Sequence, residues 1–284
     1  MRQRNFRLIW ILFTMLWPRK FQSQHTSGAF KMHRSSEAQD NVILRIDNLN
    51  KSFQALHVTR QVTFDLLSGE CVGLIGPNGA GKSTLLGLLS GSLRPDSGTL
   101  TLDGANVTPF AQFKRVRSGI AKASQIPQTF DRLLVFDNVR VAALYGAGIR
   151  EKEAADWTAD VLSQCGLGDK ARRETRTLGL LDRKRLELAK AVAARPRVLL
   201  LDEVAAGLTE PEILEIVKLV ERLKPGRATV WVEHIPYALR DVCERLILMD
   251  AGAKLLDGPF HTVWQDPKLH QIYMGVPDGT TFDV

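Results

Sequence analysis

Nine residues, Gly76-Pro77-Asn78-Gly79-Ala80-Gly81-Lys82-Ser83-Thr84, join the apolar run Cys71-Val72-Gly73-Leu74-Ile75 to the apolar stretch Leu85-Leu86-Gly87-Leu88-Leu89. They form a G-x-x-x-x-G-K-[ST] phosphate loop, set between a buried strand and the start of a helix. The glycines at 76, 79 and 81 let the backbone close round a polyphosphate, with successive N–H groups forming an anion nest. The helix that follows adds the positive end of its dipole. Lys82 is placed to reach the β- and γ-phosphates, and the Ser83 hydroxyl to ligate Mg²⁺. The motif therefore implies a site for a nucleoside triphosphate.

Around this unit, short apolar runs at Val198–Leu201, Thr229–Val232 and Leu246–Met249 read, with Cys71–Ile75, as strands buried on both faces. Val42–Ile46, Val62–Leu66 and Thr99–Leu102 read as further strands. Helical patterns run from Lys82, from Glu212 to Leu223 and from Pro236 to Cys243. Alternation of this kind predicts an α/β fold with a mostly parallel sheet. From about 130 to 194 helical spacing takes over: Ala154, Trp157, Val161, Leu162 and Cys165 share one face, and a second helix runs from Asp182 to Ala194 before Arg195-Pro196. This stretch is expected to be an α-helical insertion.

The formal charge of +7 is unevenly spread: residues 1–40 hold seven basic and two acidic side chains, leaving +2 for the rest. A body so close to neutral gives no reason to expect a nucleic-acid partner. Three scattered cysteines, Cys71, Cys165 and Cys243, indicate neither a disulfide framework nor a zinc site. Leu8–Trp17 is a ten-residue apolar run flanked by basic residues, about half the length that spans a bilayer. Three readings stay open for it: a start placed upstream of a true Met32, a disordered or membrane-surface tail, or a targeting segment. The expected divisions are an extension over 1–41, a main domain over 42–275 and a tail over 276–284.

Arg197-Val198-Leu199-Leu200-Leu201-Asp202-Glu203 is an apolar strand ending in two carboxylates, at the edge where open α/β sheets hold ligands. Asp202 suits the Mg²⁺ shell, and Glu203 is expected to face the attacking water as general base. Thr229-Val230-Trp231-Val232-Glu233-His234 repeats the strand-end geometry with an imidazole, which could hydrogen-bond the γ-phosphate or position the water.

Together these motifs resemble the nucleotide-binding subunits of ABC transporters over about residues 42–275. The resemblance implies a P-loop NTPase core with an N-terminal antiparallel β subdomain, using ATP and Mg²⁺. By the same resemblance, Gln125 in Ala123-Ser124-Gln125-Ile126-Pro127 is similar to the Q-loop glutamine that contacts Mg²⁺ and reports nucleotide state to a membrane subunit. Phe53 matches the aromatic that stacks on adenine. Ala206-Gly207-Leu208-Thr209 resembles the D-loop, with Thr209 in place of Asp or Asn. Leu178-Gly179-Leu180-Leu181-Asp182 takes the place of the Leu-Ser-Gly-Gly-Gln signature, so Gly179 replaces the serine that bonds the partner-bound γ-phosphate and Leu181 replaces the second glycine.

Arg183-Lys184-Arg185-Leu186-Glu187-Leu188-Ala189-Lys190, the run Leu201-Asp202-Glu203-Val204-Ala205-Ala206-Gly207-Leu208, and the stretch from Asp266 to Gly275 resemble the subgroup importing branched-chain amino acids or related amides. The implied partners are transmembrane permease subunits, a second ATP-binding subunit and, indirectly, a periplasmic or extracellular solute-binding protein. The implied location is the cytoplasmic face of the membrane, held there peripherally. A soluble ATPase of the same superfamily, a DNA-processing one, a non-hydrolysing regulatory subunit and an exporter motor are the alternatives. A single phosphate loop, and only about 95 residues between Lys82 and Leu178, count against the soluble and DNA-processing readings.

Overall fold

The computed structural model describes residues 41–274. The apolar run Leu8–Trp17, the candidate start Met32 and the tail from 276 lie outside the described residues. Among the described residues, ten strands form two sheets. The first is antiparallel, in the order β2-β1-β4-β5, from β1 (Val42–Phe53), β2 (Leu56–Leu67), β4 (Ser97–Leu102) and β5 (Ala105–Asn106). The second runs β10-β9-β3-β8-β7-β6, from β3 (Cys71–Ile75), β6 (Ile120–Ala123), β7 (Val198–Asp202), β8 (Ala228–Val232), β9 (Arg245–Asp250) and β10 (Ala253–Pro259). Its strands are parallel except for β10, which pairs antiparallel with β9.

Every residue of β3, β7 and β8 is buried, because this sheet is covered on both faces. Leu199 and Leu201 join one apolar cluster while Val198 and Leu200 join the other, as the two-residue period of a strand requires. One cluster fills the space between the two sheets with Leu85, Leu86, Leu88 and Leu89 of α1 (Lys82–Ser90). The helix α2 (Gln112–Ser118) follows the antiparallel sheet.

On the other face lie α3 (Val135–Tyr145), α4 (Glu151–Gln164) and α5 (Leu180–Ala193), contributing Val139, Ala154, Val161, Leu162, Leu186 and Ala189 to the second cluster. Between β6 and β7 the described regular elements are helices joined by loops, with one isolated bridge between Leu134 and Glu174. The remaining α-helices are α6 (Glu210–Leu223), α7 (Pro236–Arg240), α8 (Phe260–Trp264) and α9 (Pro267–Met274), with short 3-10 turns at Gly168–Lys170 and Thr175–Thr177.

Several expectations need correction. The helix expected over Pro236–Cys243 ends at Arg240, after which Asp241-Val242-Cys243 turns into β9. The helix expected from Asp182 begins at Leu180, because Gly179 already takes the extended N-cap conformation. Strands β6 and β10 carried no clear pattern: β6 is four residues with a lysine inside it, and β10 is a half-exposed edge. Cys71 and Cys243, far apart in sequence, are buried neighbours with their Sγ atoms 3.2 Å apart.

Arg115 on α2 ties the end of α1 to the antiparallel sheet. Its fully buried guanidinium donates to the carbonyls of Leu88 and Leu89, and to those of Val107 and Thr108. Arg115→Met removes the donor to the Leu88, Leu89 and Thr108 carbonyls, while Val107 keeps the Phe110 N–H; since each buried group left unpaired costs about 1–3 kcal/mol, thermal unfolding should show a loss of about 3 kcal/mol.

Candidate nucleotide site

The parallel register sets the site. Leu74 lies opposite Val232, Asp202 opposite Val232, and Ala123 opposite Leu201, so β3, β8, β7 and β6 finish along one edge of the sheet. The residues just beyond those ends are Gly76, His234, Glu203 and Gln125. The phosphate loop leaves β3 there and enters α1 at Lys82. Close approach explains two of its glycines. A Cβ on Gly76 would sit 2.1 Å from the Met249 carbonyl oxygen, and one on Gly81 (φ 96°) would sit 2.4 Å from that of Val58.

A cavity of about 190 Å³ opens over the loop. It is lined by Asn78, Gly79, Ala80, Gly81, Lys82, Ser83 and Thr84, by Glu203 and His234 from two strand ends, and by Val58 of β2. The Lys82 ammonium donates to the carbonyls of Gly76 (2.7 Å) and Pro77 (3.0 Å). Burial lowers the pKa of Lys82, while the carboxylates of Glu203 and Asp202 oppose that.

Glu203 is held at both carboxylate oxygens. Gln125 Nε2 donates to its Oε2 at 2.6 Å, and His234 Nε2 lies 2.8 Å from its Oε1. A carboxylate only accepts, so the imidazole nitrogen facing it carries a proton. Glu203 also takes a left-handed backbone (φ 47°), uncommon for a non-glycine residue and typical of functional sites. The Tyr273 hydroxyl on α9 donates to the His234 carbonyl at 3.2 Å.

Asp202 accepts an ion pair from Lys122 Nζ of β6 at 2.7 Å. The space beside this carboxylate thus already accommodates a positive charge. The Ser83 hydroxyl, the Asp202 carboxylate and the Gln125 amide oxygen are hard oxygen donors of the kind Mg²⁺ takes, so this residue set fits that ion.

Phe53 closes β1 as a residue 46% exposed, with the Lys51 ammonium 5.5 Å from its ring centroid, so it is not a core residue. Leu178, Gly179, Leu180, Leu181 and Asp182 do not line the cavity; Leu178 and Gly179 lead into α5 and the other three open it. Leu178 is buried, Leu180 is exposed, and Asp182 is bound by Lys170 (2.7 Å) and Arg185 (3.4 Å). Thr209 is the N-cap of α6, with its N–H and hydroxyl both donating to Glu212. That capping role accounts for a threonine at this point of the loop.

A profile of the family described as ABC transporter matches residues 59–206. This chain belongs to the ABC transporter family. It is an ATP-binding, ATP-hydrolysing subunit, of a kind that dimerises and acts with transmembrane permease components. The lipopolysaccharide export ATP-binding protein LptB of Acidithiobacillus ferridurans is 33% identical, over 82% of this chain and 97% of its own length. The branched-chain amino acid transport ATP-binding protein BraF of Pseudomonas aeruginosa is 28% identical, over 82% of this chain and 98% of its own. In fold, the chain is similar to the ADP conformation of MJ1267, an ATP-binding cassette of an ABC transporter, with a TM-score of 0.74 at 24% identity over 83% of this chain and 99% of that one.

The sequence did not single out Val58, Lys122, Lys184 or Glu233, since nothing local marks them. Glu233 is buried beside the site and accepts from the Ala205 N–H (2.8 Å) and Trp231 Nε1 (3.2 Å). Burial pushes its pKa from 4.5 up to about 7, although these hydrogen bonds pull it down. The folded chain therefore holds a proton there that the unfolded chain has already released. The associated stability is fully present below about pH 4.5 and is lost as pH rises through about 7. Glu233→Gln should remove this slope, worth about 3 kcal/mol, which thermal unfolding across pH 5–8 would detect; an unchanged slope would contradict it.

Proposed function

We propose that this ABC subunit hydrolyses ATP with Glu203 as general base, and that it drives an importer of branched-chain amino acids or related amides. The observation that carries the hydrolytic part is the Glu203 carboxylate, held by Gln125 and His234 at the mouth of the phosphate-loop cavity. The amides of residues 76–84 and the Lys82 ammonium bind the phosphates, and Phe53 stacks on the adenine. Ser83, Gln125 and Asp202 hold Mg²⁺, which when bound supplies charge neutralisation on the phosphate oxygens. Glu203 takes a proton from water as the water oxygen attacks the γ-phosphorus. The bond to the β-phosphate oxygen breaks, leaving ADP and phosphate. His234 keeps the carboxylate aimed by donating its Nε2–H to Glu203 Oε1.

The signature segment of one subunit faces the nucleotide of the other when two copies, or this chain and a second ATP-binding subunit, close head-to-tail. Backbone N–H groups at the start of α5 bind the γ-phosphate there, where Gly179 lacks a hydroxyl. The exposed helical face carries the motion to a permease at the cytoplasmic side of the membrane. Among the described residues no helix is long and apolar enough to cross a membrane.

The importer reading is supported by the run Arg183–Lys190 and by the likeness to BraF. The likeness to LptB favours a second reading, an exporter of lipopolysaccharide. Purification from solubilised membranes with the accompanying permease, followed by reconstitution, separates the two. ATPase activity stimulated by a branched-chain amino acid and its binding protein supports the first, and stimulation by lipopolysaccharide the second.

Two variants test the chemistry. Glu203→Gln should keep ATP binding while turnover falls by about 100-fold or more; unchanged turnover removes Glu203 from the mechanism. A Cβ at Gly179 meets nothing within 4 Å and its φ of −69° suits any residue. Gly179→Ser should therefore fold normally and strengthen ATP-dependent pairing of subunits by about 10-fold, as read by sedimentation.

A further inference from the structure

Lys184 stands two residues beyond the signature segment on α5 and is only 2% exposed. Its ammonium donates to the backbone carbonyl of Gln125 at 2.6 Å and to that of Glu203 at 3.3 Å. Those two residues also meet through their side chains, Gln125 Nε2 to Glu203 Oε2. One buried cation thus pins both backbones whose side chains build the site. It also helps hold Glu203 in its left-handed conformation, together with the Ala206 N–H, which donates to the same Glu203 carbonyl at 3.1 Å. The carboxylates of Glu233, Glu203, Glu187 and Asp202 offset the lowering of the Lys184 pKa by burial.

Stability alone gives no reason for a lysine here. Buried charges are expensive, and an apolar side chain of the same length commonly packs as well or better. Leu186, Leu188 and Ala189 show that this helix supplies such residues readily. The carbonyls that Lys184 chooses are the significant fact, because they join the glutamine loop, the carboxylate and the signature helix at one point. We propose that Lys184 is a positioning residue, acting through Gln125 and Glu203 to set the carboxylate for water activation and to tie it to the helix carrying the signature segment. This rests on the reading of Glu203 as general base.

The test compares Lys184→Met, Lys184→Arg and Glu203→Gln in the full chain, measuring nucleotide Kd, kcat and melting temperature for each. The expected result for Lys184→Met is a kcat lower by about 10- to 100-fold, with Kd within about threefold of the unaltered protein. Lys184→Arg should recover much of the loss, since the guanidinium can still donate to both carbonyls. Normal kcat in Lys184→Met beside a silent Glu203→Gln overturns the role of Lys184 and leaves the base in place. An active Glu203→Gln overturns the base itself. Nucleotide binding, kcat and melting temperature falling together in both lysine variants would make Lys184 a stability residue and overturn the proposal. Should Lys184→Met fail to fold, Lys184→Gln, which keeps a donor without the charge, is read by the same criteria.

Discussion

The parallel register of β3, β8, β7 and β6 is the constraint on which the rest of the molecule depends. With both faces of the sheet covered, slipping one strand by a residue would exchange the sets that Leu199 and Leu201, or Val198 and Leu200, send to opposite cores. Hydrophobic burial therefore fixes which residues reach the end of each strand. The phosphate loop, Asp202, His234 and Gln125 then meet at one edge without any contact having to draw them there.

At that edge, charge is managed by pairing. Asp202 is met by Lys122, Glu203 by His234 and Gln125, and the buried Lys184 by two backbone carbonyls. Glu233 differs, because burial favours its neutral form despite donors from Ala205 and Trp231. Because burial raises the Glu233 pKa to about 7, the charge beside Glu203 changes with pH near neutrality. These side chains come from the ends of β6, β7 and β8 and from α5, so the field is a property of the assembled edge.

The phosphate loop was legible because its chemistry is local: spacing, glycines and flanking apolar runs all lie within one strand–loop–helix unit. The Asp202-Glu203 strand end and His234 were legible for the same reason. Lys184 was hidden, since its partner Gln125 is 59 positions away and a lysine on a helix ordinarily reads as a solvated face. Lys122 was hidden inside β6, a strand that its own four residues did not announce. Cys71 and Cys243, 172 positions apart, looked isolated until the fold made them neighbours.

The sequence by itself determined the α/β architecture, the phosphate loop and the strand-ending carboxylates, since periodicity and motif spacing act over short stretches of chain. It also marked the altered signature at Gly179 and Leu181. The tertiary structure decided which groups grip Glu203, which cation sits on Asp202, why Arg115 and Lys184 are buried, and that Gly179 borders open space. Those are contacts between distant segments, set by how two sheets and a helical insertion pack, and no local pattern encodes them.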